Sequence, residues 1–228
     1  MKKLSLFFAA IFMMGSISLI AQKPFAGTIK IKIDVAGTTD GNITSQFPIE
    51  QKITVLGNKT KMVMNQGIGI ILIQDCELKT VTTILDFAAM GAGCYYRTDT
   101  VKVSTTMKYD YVADKNTTKE IAGYKCHKVT FTTTNLEDDE TTDVILYVAD
   151  DFMPTYKPIE YPGLVGYVMS ATQHIDNETG SYDVISEVIE ITPNKKIKSV
   201  DFLLPEKAVP LADAPANIKQ MFGMGGDE

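Results

Sequence analysis

Cys126 and His127 stand side by side in "EIAGYKCHKVTFTTT", and a thiol next to an imidazole is a combination that nucleophilic catalysis or metal binding can use. Neighbouring residues of a strand point to opposite faces. In the strand that this Val- and Thr-rich stretch predicts, the His127 ring therefore does not reach the Cys126 sulfur. Tyr124 and Cys126 share one face, with Lys125, His127, Val129 and Phe131 on the other. Apolar residues change face near Lys128, which predicts a bulge or a strand covered on both sides. His174, the second of two histidines, has nothing in its surroundings to place it beside the thiol. Cys126 reads as a packing or disulfide residue, and no catalytic residue is expected.

The remaining polar clusters fare no better as chemistry. "EDDE" (137–140) lacks the alternating ligands and central glycine of a calcium loop and reads as a solvated hairpin tip. Two isolated histidines without a CxxC spacing leave zinc without a ligand set. "GMGG" (223–226) has no strand-to-helix context for phosphate binding, and no serine sits in a G-x-S-x-G setting. Hence no metal, cofactor or enzymatic activity is expected. The cysteine count is odd: Cys76, Cys94 and Cys126. In an oxidising compartment two should pair. Cys76 and Cys94 bracket one strand and a glycine-rich loop, and closing that loop would stabilise the fold by about 3 kcal/mol. A pair involving Cys126 is the alternative.

The elements that position these residues follow a period of two. Ile29, Ile31, Ile33 and Val35 alternate with Lys30, Lys32 and Asp34, and Phe47, Ile49, Ile53 and Val55 with Glu50, Lys52 and Thr54. Such alternation marks antiparallel strands with one buried and one wet face. Gly57-Asn58 predicts a two-residue hairpin turn into "KTKMVMN", with Met62 and Met64 on one face. Further strands are expected near 70–75, 79–86, 100–107, 124–134, 142–149, 164–174, 182–192 and 197–204. About eleven strands with short turns make an all-β meander, as a barrel or a sandwich. Three segments interrupt it: "FAAMGAGCYY" (87–96), the proline-rich 150–163, and a tail from about 213 that is partly helical or frayed.

Compartment is set by the first 21 residues. Lys2 and Lys3 precede an uncharged apolar run ending at Ala21, the layout of a cleaved secretory signal. No cysteine at the junction suggests lipid attachment, and no later run approaches membrane-spanning length. Residues 22–228 are expected to form one β-rich domain, periplasmic or secreted. Removal of two lysines takes the net charge from −6 to −8, and an acidic chain without a basic cluster excludes nucleic acid and anionic membrane surfaces as partners.

"IAGYKCHKVTF", "VILYVADDFMP", "YPGLVGYVMSATQ" and "DFLLPE", spread over residues 120–206, resemble a group of secreted bacterial proteins of unknown function with the fold of the lipoprotein-localisation-factor (LolA/LolB-like) superfamily. The resemblance implies a single curved antiparallel sheet, an open half-barrel of about eleven strands, with short helices or loops plugging its concave side. It also implies a hollow that holds acyl chains, and it brings no catalytic residues. Eight methionines outside the signal and tyrosines near the irregular segments suit an adaptable apolar pocket. Together these readings predict an exported, non-enzymatic protein that binds a lipid or other hydrophobic ligand. Its expected walls are Ile29, Ile31 and Ile33 from the first strand, Phe47, Ile49, Ile53 and Val55 from the second, and Met62 and Met64 from the third. Segments 87–96 and 150–163 would cover them. The competing expectation is an envelope module that docks another protein and carries no small ligand.

Overall fold

A computed structural model of the chain describes residues 24–47, 49–65, 68–87, 91, 93–153, 156–177 and 180–221. The signal expected at 1–21 and the frayed end of the tail lie outside the described residues. The alternating stretches fold as a first meander of β1 (Ala26–Ala36), β2 (Glu50–Leu56), β3 (Lys59–Asn65), β4 (Gly69–Asp75), β5 (Thr80–Asp86) and β6 (Cys94–Thr100). A second comprises β7 (Met107–Ile121), β8 (Tyr124–Asn135), β9 (Thr141–Ala149), β10 (Tyr167–Asn177) and β11 (Gly180–Pro193), and β12 (Ala208–Pro210) ends the set. Two short helices are described, α1 (Gly41–Thr44) and α2 (Ala216–Met221).

The twelve strands form one sheet in the order β12-β6-β5-β4-β3-β2-β1-β11-β10-β9-β8-β7. β12 and β7 are its two edges, so the sheet is open, and neither a closed barrel nor a sandwich forms. The predicted Gly57-Asn58 turn is in place, with Gly57 at φ +59° and Leu56 opposite Lys59. Pairing sets Ile29, Ile53, Met62 and Leu72 in one row across β1–β4.

Chain connectivity makes the sheet curl. β6 and β7 stand ten spacings apart in the order, about 48 Å if the sheet were flat. Only residues 101–106 join them, and the chain from Thr100 to Met107 reaches at most about 25 Å. The two edges must therefore swing toward each other. On the far side, a bulge between Asp114 and Thr118 bends β7 opposite Lys128 and His127, where the face change in β8 predicts it. Beyond the bulge, Lys119 pairs with Glu187 of β11, although three strands lie between β7 and β11 in the sheet.

Several expectations need correction. The strand expected at 100–107 begins at Cys94 instead, because that stretch pairs with β5 on one side and with β12 on the other, the latter in parallel. β7 alternates only at its start, where Met107 and Tyr109 are half-buried, and from Asp110 to Glu120 every residue is exposed along a sheet edge. Residues 197–204 are no strand: the Asp201 carboxylate accepts from the Lys198 amide (2.8 Å) and closes a 3-10 turn, Ser199–Phe202. That turn buries Phe202 against Ile73 and Ile84. The tail does turn helical as predicted, and Leu211, Ala214 and Ile218 pack on Leu85 and Phe87.

The main cluster joins Ile29 and Val55 of the sheet to Phe152, Met153 and Tyr156 of the 150–163 segment, with Cys126 and Met169 alongside. A second joins Val129, Phe131, Leu146 and Val148 to Leu164. Leu146 is fully buried, so Leu146→Ala should lose about 2–5 kcal/mol in chemical denaturation, whereas Ile49→Ala, at a 75% exposed position, should stay within about 0.5 kcal/mol. Gly166 sits at φ +103°, and a Cβ there would lie 2.8 Å from Val148 Cγ1. Gly166→Ala should therefore cost about 1–3 kcal/mol by the same measurement.

Candidate functional site

Residues 150–153 and 156–166, between β9 and β10, lie across the concave side of the sheet as a strap. Pro158 and Pro162 keep it out of regular structure, and three anchors hold it. Phe152 meets Phe25, Tyr124 and Tyr167 at ring separations of 4.8, 4.9 and 5.2 Å. Tyr161 packs edge-on against Phe131 (5.1 Å). A polar chain provides the third: Thr60 Oγ1 donates to Gln74 Oε1 (3.0 Å), and Gln74 Nε2 donates to the Glu160 carboxylate (2.5 Å). The strap backbone turns through Met153 at φ +51° and closes with the Gly166 amide donating to Tyr156 O (3.3 Å).

Between the strap and the sheet lies an inner hollow of about 330 Å³. Ile31, Ile53, Met62 and Leu72 form its sheet wall, Val168 and Ala171 a second side, and Tyr156, Pro158 and Tyr161 its roof. Gln51, Gln74, Glu160 and Ser186 supply polar atoms around it. An outer hollow of about 380 Å³ lies on the other side of the strap, against the β4–β5 turn and the link 101–106. Its walls include Val101, Ile159, Leu164 and Val165, and Lys79, Lys102 and Lys157 stand around it.

Three of the nine expected wall residues, Ile31, Ile53 and Met62, line the inner hollow. Ile29 and Val55 are wholly buried in the core beneath the strap. Ile33 and Met64 are half-buried, farther along β1 and β3. Phe47 and Ile49 line neither hollow: both precede β2, and Ile49 is largely in solvent. Ile49 does lie opposite Ile33, as alternation predicts, but outside the cover. Tyr156, Tyr161, Gln74 and Glu160 also line the hollow, and the tyrosine grouping at the irregular segment is the sequence signal for the first two.

No disulfide joins Cys76 to Cys94, and all three thiols are free. Cys94 faces Asp86, which faces Gly69 at the start of β4, whereas Cys76 follows the end of that strand. The two are thus about seven residues, or roughly 23 Å, apart along the sheet, far beyond disulfide reach. Cys76 is hydrogen-bonded to the Tyr156 hydroxyl, and burial pushes its thiol up to about 11. Burial likewise raises Cys126 to about 11, and its thiol donates to Tyr124 O (3.4 Å). Burial raises the Tyr156 and Tyr167 hydroxyls too, with Glu160's negative charge adding to both.

His127 points away from Cys126, with Nδ1 3.5 Å from Asp150 Oδ2. His174 meets Asp183 through Nδ1 (2.8 Å) and Ser181 Oγ through Nε2 (3.2 Å), the connectivity of a serine–histidine–aspartate triad. His174 and Asp183 are direct cross-strand partners on the β10–β11 hairpin, the His174 side chain is 60% exposed, and neither hollow includes any of the three. The contacts act as cross-strand hydrogen bonds that hold hairpin register. Among the described residues, no group of three or more His, Cys, Asp or Glu side chains could hold a metal ion. No described helix is long and apolar enough to cross a membrane.

The protein purified under non-reducing conditions should release three titratable thiols on unfolding in a thiol–disulfide exchange assay. In the native state at pH 8, the buried Cys76 and Cys126 should alkylate far more slowly than the half-buried Cys94, because the thiolate is the reactive form.

No protein-family model matches the chain, and no curated protein matches it. Among solved structures, a DUF1329 family protein from Desulfovibrio piger is similar, with 7% identity over 80% of this chain and 91% of that one and a TM-score of 0.25.

Proposed function

We propose that the chain is an exported, non-enzymatic binding protein that holds a lipid or another hydrophobic molecule in the inner hollow. The observation that carries this reading is the roofed hollow of about 330 Å³ between the strap and an apolar row of the sheet. Its volume falls within the roughly 300–1,000 Å³ of small-molecule sites. Ile31, Ile53, Met62 and Leu72 offer an apolar chain a surface whose burial is worth about 25 cal/mol per Å². Gln51, Gln74, Glu160 and Ser186 give a polar end several partners, so an amphiphile would bind in one orientation.

Export rests on Lys2, Lys3 and the apolar run that follows. The likeness of the motifs over 120–206 to the lipoprotein-localisation superfamily supports the same class of ligand. The strap supports reversible loading: it is held to β4 by a side-chain hydrogen bond from Gln74 and turns at Gly163, φ +89°.

Native mass spectrometry of protein isolated from its own cell envelope should show a co-purifying lipid, and the emptied protein should take up an uncharged fluorescent hydrophobe. Ala171→Phe, which fills the hollow from β10, should lower uptake at least tenfold while the protein still melts cooperatively. A bare apo mass together with no uptake by the wild-type protein would overturn the reading in favour of a docking module without a small ligand.

A further inference from the structure

The outer hollow is assembled by three segments distant in sequence, and each brings one lysine. Lys79 comes from the β4–β5 turn, Lys102 from the link 101–106, and Lys157 from the strap. None of the three is ion-paired with a carboxylate among the described residues. The turn and the link are tied, since the Val101 amide donates to Lys79 O (2.7 Å).

Lys79 itself is built into position. Its φ of +55° is uncommon for a residue with a side chain. The Asp75 carboxylate holds the turn by accepting from the Glu77 and Leu78 amides (3.1 Å each) and pairing with Lys59 (3.1 Å). Glu160, which also lines this hollow, takes its hydrogen bond from Gln74 on the inner side of the strap. Below the lysines the walls are apolar: Val101, Ile159, Leu164 and Val165. A hollow with apolar walls that three lysines and one carboxylate, Glu160, share carries a local excess of positive charge on a chain with net charge −6.

We propose that the outer hollow is a second binding site, which takes a monomeric single-chain amphiphile with an anionic head, carboxylate or phosphate. The chain lies against Ile159 and Leu164, and the head is met by Lys79, Lys102 and Lys157. The long lysine stems allow the ammonium groups to close on the head while their methylenes cover the chain. The site uses lysines that the inner hollow lacks, so it stands whether or not the inner hollow carries a ligand.

The test is binding of dodecanoate and of dodecanol below their micelle concentrations, measured by calorimetry on the wild-type protein, on K79Q/K102Q/K157Q and on Ala171→Phe. Dodecanoate should bind at least tenfold more tightly than dodecanol, and raising the salt from about 0.05 to 0.5 M should erode that preference. The triple lysine variant should weaken dodecanoate about tenfold, as three partly exposed charge contacts imply, while Ala171→Phe should retain the salt-sensitive component. Dodecyl phosphate should behave as dodecanoate does. Equal binding of acid and alcohol, undiminished affinity in the lysine variant, or loss of the salt-sensitive component in Ala171→Phe would overturn the proposal. So would acetate or inorganic phosphate competing as well as the long-chain acid, which would mean a plain anion site. Sedimentation with phosphatidylglycerol vesicles without any response to monomeric dodecanoate would also overturn it, in favour of a membrane-docking face.

Discussion

Six residues between β6 and β7 constrain everything else in this molecule. The strands they join stand at opposite ends of the sheet order, and so short a link cannot span a flat sheet. The sheet must curl, its apolar rows must face inward, and a concave surface must be covered. No second sheet is present among the described residues to cover it, so irregular chain does the work: the strap from one side and the C-terminal turns and helix from the other. Curvature therefore precedes both hollows as a cause.

Phe152 is what keeps the strap down. Its ring touches one aromatic from the lead into β1, one from the start of β8 and one from the start of β10, so three parts of the fold converge on one side chain. Each such contact is worth about 0.5–1.5 kcal/mol beyond the area it buries. Farther along, the contacts change character. Glu160 reaches the sheet through Gln74, and Tyr161 packs on the wall of β8. The strap is sealed at its start by rings and held at its middle by a hydrogen-bonded chain, which leaves space between the two. Dense aromatic packing and an open hollow are thus successive stretches of the same segment.

The strap also separates two chemistries. Toward the sheet it presents tyrosines over isoleucine, methionine and leucine; away from the sheet its Pro158–Val165 stretch faces a turn and a link that bring lysines. Glu160 lies on the boundary and lines both hollows. Burial keeps the Cys76 thiol protonated beside Tyr156, so the floor between the hollows carries no thiolate charge. The Ser181–His174–Asp183 contacts lie on a hairpin outside both hollows and belong to strand pairing.

Local chemistry was legible wherever one residue type reports its own environment. Alternation from Ile29 to Val35 named β1, Gly57-Asn58 named the first hairpin, and the face change near Lys128 marked an irregularity that the structure shows to be a bulge in the facing strand, because side-chain period and turn conformation are properties of a few adjacent residues. β7 escaped because an edge strand needs no apolar face, and 197–204 misled because its apolar residues serve a 3-10 turn and not a strand. The wall residues show the division plainly. Sequence by itself determined that Ile31, Ile49, Ile53 and Met62 belong to one face of a mainly β architecture, and the strand order decided that it is open. Only the tertiary structure decided that Ile49 lies in solvent, that Cys76 and Cys94 end up at opposite ends of the strands, and that Lys79, Lys102 and Lys157 border one hollow. Those outcomes depend on how far the sheet curls and where the strap crosses it, which are set by contacts between residues dozens of positions apart.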